Sequence, residues 1–160
     1  MDAKDGTNQA IPANAKAIDV TDEWKALGEK RSEELAGHLA EPPEGMAVVL
    51  AASDFVYNEL ARQDGLLSRW LVEEALHSTR THASYVKQTQ QLVAEAAADE
   101  AAVMSALRRL RRAEMARIAW RDIAGLAPFA TIATESSALA DAIIDTALEY
   151  VQTALEARYG

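Results

Sequence analysis

The sequence contains no cysteine, which excludes disulfides, thiolate nucleophiles and sulfur-ligated zinc and accords with a reducing compartment. Aromatic residues make up only 6% of the chain, too few for a protein built from aromatic-rich, β-branched strands. Glycine is scarce as well. The seven glycines are scattered and none forms GxGxxG or GxxxxGK, so no phosphate-cradling loop is encoded. Long apolar runs are missing: nothing approaches the roughly 20 residues of a membrane-spanning helix. Asp2 and Asp5 stand where a secretory signal would carry positive charge. Positive charge is itself in the minority, with 16 Lys and Arg against 25 Asp and Glu and a formal net charge of -9. That field repels phosphate backbones and anionic lipid. A cytoplasmic protein with neither nucleic acid nor membrane as partner is the expectation.

What is present is apolar aliphatic residue, 49% of the chain being hydrophobic with alanine the commonest type. That composition favours closely packed helices. A chain of 160 residues is the size of one domain and long enough to bury roughly two-thirds of its unfolded surface.

Residues 1–20 are polar or small, include Gly6 and Pro12 and show no periodic apolar stripe; they are expected to form a flexible leader. Residues 21–160 are expected to form an all-α helical bundle of about six helices. A first helix starts at Thr21 or Asp22, carries Trp24, Leu27, Leu35 and Leu39 on a partial apolar face, and is stopped by Pro42 and Pro43. A second helical region runs from about Gly45 to Gln63, either as one bent helix or as two meeting at Ser53, because Ser53 and Asp54 favour an N-cap. Asp64-Gly65 marks a turn before a short amphipathic helix from Leu66 to Leu76. A further helix spans about Thr81 to Ala97. Asp99 caps a longer one reaching about Ala124, closed by Gly125 and Pro128. The last helix is predicted to start near Thr134 and to lie centrally, since Leu139, Ile143, Ala147, Tyr150 and Ala154 form one stripe and Ala140, Ile144, Val151 and Leu155 the next. No internal repeat is visible.

Residues with chemical potential are few. The histidines are His38, His77 and His82; Glu73 and Glu74 lie near His77 at helical spacing, an arrangement common on exposed helix faces and short of a metal-ligand set. No carboxylate pair has the glycine-flanked strand context that would hold metal ions for phosphoryl transfer. Ser53, Ser136 and Ser137 fit capping better than nucleophilic attack. No catalytic residue, metal site or cofactor site is expected within the chain.

The stretch from Leu107 to Asp122, LRRLRRAEMARIAWRD, resists so plain a reading. It gathers Arg108, Arg109, Arg111, Arg112, Arg117 and Arg121 in an acidic protein. At about 100° per residue, Val103, Met104, Leu107, Leu110, Met115 and Ile118 define its apolar side. Arg111, Glu114, Arg121 and Asp122 fall in the same sector; Glu114 can reach both Arg111 and Arg117 at i±3, and Arg121 lies two turns further along the same line. Charges there must be paired or covered. Three readings follow: an internal ion-pair ladder with acids such as Asp141 and Asp145 on the last helix, a docking surface for another domain, or direct binding of a nucleotide or phosphate. Arg111, Glu114, Arg117, Arg121 and Asp122 are the candidate interface.

Two segments carry a resemblance. The first is Ala52-Ser53-Asp54-Phe55-Val56 with Leu60 and Leu66-Leu67 following. The second is LRRLRRAEMARIAWRDIAGLA at 107–127, then SALADAIIDTALEYVQTALEARYG at 137–160. With their intervening helices they cover about two-thirds of the chain, and they resemble the bifunctional glutamine synthetase adenylyltransferase and adenylyl-removing enzymes (glutamate-ammonia ligase adenylyltransferases). The SDF and WRD segments are more similar to the first, adenylyl-removing half. The resemblance implies a helical domain that precedes the first nucleotidyltransferase domain of an enzyme that adds AMP to a glutamine synthetase tyrosine and removes it by phosphorolysis, using Mg and ATP. In that family the ARYG helix is followed by Gly-Lys-Leu-Gly-Gly and a Ser-Asp-Ile-Asp strand holding magnesium. No such segment occurs in this sequence. Gln63-Asp64-Gly65 replaces a common His-Pro turn, and Leu110 replaces an aromatic. The expectation is an N-terminal fragment, inactive alone, acting as scaffold and interaction surface, with the absent nucleotidyltransferase domain and glutamine synthetase as partners. The alternatives are a free-standing helical protein-binding module or an inactive remnant.

Overall fold

The computed structural model describes residues 21–36, 39, 41–96 and 99–160. The expected leader and His38 lie outside them. Among the described residues there are seven helices and no strand: α1 (Asp22–Ala36), α2 (Met46–Ala52), α3 (Asp54–Arg62), α4 (Leu66–Val72), α5 (His82–Glu95), α6 (Glu100–Ile123) and α7 (Phe129–Tyr159). The all-α expectation holds, with seven elements in place of about six because the region after Gly45 divides. Ser53 is extended there, and its hydroxyl accepts from the Val56 amide at 3.2 Å. The same residue therefore ends α2 and caps α3.

Two other helix starts form as side-chain chemistry dictates, one at the expected cap Asp99 and one at Thr81, where only a boundary was expected. Thr81 and Ser84 make a reciprocal capping box at the start of α5. Asp99 accepts from the amides of Ala101 and Ala102 at 3.0 and 3.4 Å. At the other end of α6, Gly125 adopts φ +66°, and the Leu126 and Gly125 amides bond back to the carbonyls of Arg121 and Asp122 at 2.8 and 3.1 Å, closing the helix in a Schellman motif.

Three boundaries differ from expectation. α1 ends at Ala36 before it reaches Pro42, and Leu39, expected on its apolar face, is not helical; its amide bonds to the Ala36 carbonyl at 2.8 Å. α4 stops at Val72, not Leu76, because Glu74 takes a left-handed conformation at φ 51°. The Ala75 and Glu74 amides then bond to the Trp70 and Leu71 carbonyls at 2.8 and 3.2 Å. The turn carries Ala75 and Leu76 into the core and frees the carbonyls of residues 75–78 from helical pairing. α7 starts at Phe129, not near Thr134, because Pro128 is a sound entry: its carbonyl accepts from Thr131 and Ile132 at 2.9 and 3.1 Å. The Thr134 and Ser137 hydroxyls bond instead to carbonyls four residues earlier, at 2.8 and 3.1 Å, the habit of such residues inside a helix.

The central helix is α6. Its buried residues Val103, Leu107, Leu110, Ala113, Ala116 and Trp120 alternate with buried Glu114, Arg117, Ile118 and Arg121, so both of its flanks are covered. One flank joins Leu50, Val56, Leu60, Leu67 and Trp70 from α2, α3 and α4, with Ala113, Ala116 and Trp120 supplied by α6. The other joins Tyr85 of α5 and Ile132, Leu139 and Ala142 of α7 around Ile118. The two threonines Thr89 and Thr146 link α5 to α7 by a buried hydroxyl pair at 2.7 Å. The second α7 stripe does not lie centrally as expected: Ile144, Val151 and Leu155 are about half exposed, and every residue from Val151 onward is exposed.

The first helix packs on α2 through Gly28. A Cβ at that position would stand 2.2 Å from the Ala47 carbonyl oxygen, so only glycine permits this approach. Arg31 fastens the same corner, donating to the Leu50 carbonyl at 2.7 Å and to Asp54 at 2.6 Å.

Candidate functional site

On α6, Glu114, Arg117 and Arg121 follow one another at i, i+3 and i+7, one line along the helix. That line faces Glu135 in the second turn of α7, Tyr85 in the first turn of α5, and Arg80 in the loop before α5. All of these except Arg80 are buried. Glu135 accepts from Arg117 through one carboxylate oxygen and from Arg121 through the other, and the Arg80 amide donates to it at 2.8 Å. Glu114 accepts from Arg117 Nε at 2.9 Å and from Arg80 Nη1 at 2.5 Å. The Tyr85 hydroxyl accepts from Arg117 Nη2 at 3.1 Å and points its proton toward Glu114 Oε2, also at 3.1 Å.

The remaining guanidinium donors meet the loop created by the early end of α4. Arg117 Nη1 donates to the carbonyls of Ala75 and Ser78 at 2.8 and 3.1 Å. Arg121 donates to the Leu76 carbonyl at 3.1 Å and to the Thr79 hydroxyl at 2.8 Å. Two arginines thus tie α6, α7 and the 73–81 loop into one unit. Buried charges require this degree of pairing.

The electrostatics favour fixed charge over proton transfer. Burial works against the Arg117 cation, but the field of Glu114 and the hydrogen bond to Glu135 outweigh it and push its pKa up. Burial, reinforced by the Glu114 charge, pushes the Tyr85 phenol up despite the opposing field of Arg117. Neither group changes charge near neutrality, and an arginine is protonated throughout. The cluster can hold elements together; it offers no acid or base poised for catalysis.

The five candidate residues therefore do not share one environment, and of the two partners expected for Glu114 only Arg117 pairs with it, Arg80 standing in place of Arg111. Glu114, Arg117 and Arg121 are internal, whereas Arg111 and Asp122 are exposed. The acid that the last helix supplies to the ladder is Glu135, not Asp141 or Asp145. Asp141 is exposed, and Asp145 lies 3.6 Å from His82 on the surface. Glu135 was missed because, with a start near Thr134, it stands at the very beginning of the helix, ahead of both apolar stripes, which begin at Leu139 and Ala140. A usable signal existed: Ile132, Glu135, Leu139, Ala142 and Thr146, all buried, follow one another at spacings of three and four. Arg80 and Tyr85 sit in or beside a loop and carried no such signal.

A second ionic site joins α3 to α6. Glu59 is buried and accepts from Arg112, and also from Arg62 at 3.2 Å and Gln63 at 3.3 Å. The hydrogen bond from Arg112 holds its carboxyl below the ordinary value, against the opposing effect of burial. A carboxylate depressed in the folded state contributes stability above its unfolded pKa, about 4.3, and loses it as pH falls through the folded value. Urea midpoints of wild type and Glu59→Gln are therefore expected to differ most near neutral pH and to converge below about pH 4. A gap that stays constant down to about pH 3 would disprove this linkage.

Among the described residues, no group of three or more His, Asp or Glu is placed to hold a metal ion, and no helix is long and apolar enough to cross a membrane.

Residues 44–160 match the family model described as glutamate-ammonia ligase adenylyltransferase. A curated relative, the bifunctional glutamine synthetase adenylyltransferase/adenylyl-removing enzyme of Thioalkalivibrio sulfidiphilus, is 36% identical over 118 residues, which is 74% of this chain and 12% of that protein. The chain thus spans about an eighth of that relative's length. No solved structure matches.

Proposed function

Because the chain belongs to the glutamate-ammonia ligase adenylyltransferase family, we propose that it is the helical segment that supports the first nucleotidyltransferase domain of such an enzyme and gives that domain a surface to dock on. In this reading the intact protein regulates nitrogen assimilation by adding AMP to a glutamine synthetase tyrosine and removing it, with Mg and ATP used by the catalytic domains. The helical segment contributes architecture.

The match over residues 44–160 carries the reading. The outer face of α7 supports it: Ile144, Leu148, Val151, Leu155 and Tyr159 are between 46% and 73% exposed and recur at helical spacing, as a stripe awaiting an apolar partner does. The buried arginine cluster anchors the first half of α7 and so fixes where the second half projects.

The test uses the purified chain and a separately expressed nucleotidyltransferase domain from a family member. Association is expected, and Leu148→Asp with Val151→Asp should weaken it by about tenfold or more, the loss of at least one well-packed apolar anchor. Assays of the chain alone with Mg, ATP or phosphate, and glutamine synthetase should show no turnover. Turnover by the chain alone, or association indifferent to both aspartates, would overturn the reading.

A further inference from the structure

A cleft of about 230 Å³ opens where α4, α5 and the first half of α6 converge. Its lining mixes apolar Trp70, Leu92 and Leu110 with Arg69, Arg80, Arg109, Glu73 and Glu114. Arg80 is committed: it donates to Glu114 at 2.5 Å and reaches Glu73 and Gln88 at 3.5 Å. Arg69 and Arg109 are not. Both are exposed, and neither side chain makes a hydrogen bond or ion pair among the described residues.

Their lack of partners is informative in a chain of formal charge -9. Glu73 follows Arg69 by four residues, a spacing that ordinarily pairs opposite charges, yet Glu73 is turned to Arg80. Two cations from different helices are therefore left lining one small concavity, while the nearby carboxylates are occupied by a third.

We propose that this cleft is a binding site for a small anion bearing carboxylate or phosphate groups, held between the guanidinium groups of Arg69 and Arg109. Arginine presents forked donors that match two oxygens of either group. The apolar residues that share the lining exclude some water and strengthen the attraction. The volume lies below the roughly 300–1,000 Å³ of drug-sized pockets, which selects a compact anion over a nucleotide. Arg80 binds Glu73 and Glu114, limiting their repulsion of the incoming charge.

The experiment is calorimetric titration of the full chain with inorganic phosphate and, separately, with succinate, at ionic strength held constant with chloride. One-to-one saturable binding is expected for at least one probe, and the tighter probe identifies the recognised group. Arg69→Ala and Arg109→Ala should each weaken the Kd by about tenfold, the loss of one charge-assisted contact, and the pair together should abolish binding. Arg108→Ala and Arg111→Ala remove the same charge from exposed positions outside the cleft and should leave the Kd unchanged. All four positions are exposed, and unaltered helical circular dichroism confirms that the variants fold. Absence of saturable binding with both probes overturns the proposal. So does equal weakening by the Arg108 and Arg111 variants, which would signify general charge attraction.

Discussion

Replacing Glu135 with alanine is expected to lower the free energy of unfolding by about 3–5 kcal/mol, the usual cost of stranding a buried charge by deleting its partner. This single carboxylate accepts from Arg117, Arg121 and the Arg80 amide, and its side chain is fully buried with Arg117 equally so. Glu135→Gln keeps the volume and one acceptor but removes the charge, so its loss should be intermediate. The measurement is a urea unfolding series in which the midpoint falls while the slope stays constant. A loss below about 1 kcal/mol for alanine would mean that the arginines find other acceptors or water, and that the cluster is not what fixes α7.

Much of the helical layout was legible because side-chain chemistry announces it locally. Ser53, Thr81 and Asp99 cap helices through their own oxygens, and a residue's capacity to do so is independent of the rest of the fold. The misplaced boundaries had no local announcement. Nothing in Glu74 marks it for a left-handed conformation, which L-residues other than glycine rarely adopt. That conformation becomes intelligible only once Arg117 and Arg121 are seen to take up the carbonyls of Ala75, Leu76 and Ser78.

The arginine helix shows the same division. Its spacing placed Glu114 and Arg117 within reach of each other and Arg121 two turns on, and the structure keeps these three on one line. It also put Arg111 and Asp122 on the apolar side, where a helical wheel has no means of saying how much of a stripe is covered. Along that line Arg111 is exposed, Met115 half-buried, Ile118 buried and Asp122 exposed again. Coverage is centred on one turn and fades in both directions. The partner Glu135 depended on how α6 and α7 cross, which no pattern within either helix specifies.

These placements give the family resemblance a physical meaning. Within the run from Glu114 to Arg121, Glu114, Arg117, Ile118, Trp120 and Arg121 are all buried, so the most distinctive part of the pattern is made of residues that build the core. Of the four arginines outside that run, Arg112 is engaged by Glu59, while Arg108, Arg109 and Arg111 are exposed and free to serve binding. Arg109 alone of these three lines the anion cleft. A polar run that looks like one functional unit in the sequence is thus divided by helix geometry into a structural half and a surface half.

The apolar side of that structural half sets the second large effect. Trp120→Ala is expected to cost about 3–5 kcal/mol, the range for deleting a buried aromatic side chain and leaving a cavity. Its ring is almost fully buried and meets Trp70 edge to face, with centroids 6.4 Å apart and planes at 77°. The pair joins α4 to α6 beside the arginine anchors. Such a contact adds about 0.5–1.5 kcal/mol beyond area burial, so Trp70→Ala and Trp120→Ala together should cost less than their sum. Trp24, on α1 and 39% exposed, provides the control: its replacement by alanine should cost under about 1.5 kcal/mol, as expected for a side chain only partly removed from water. Urea unfolding of the four variants decides the matter. Strict additivity of the two buried tryptophans would show that α4 and α6 are held independently, and a Trp24 variant as unstable as the Trp120 variant would show that burial does not set the cost.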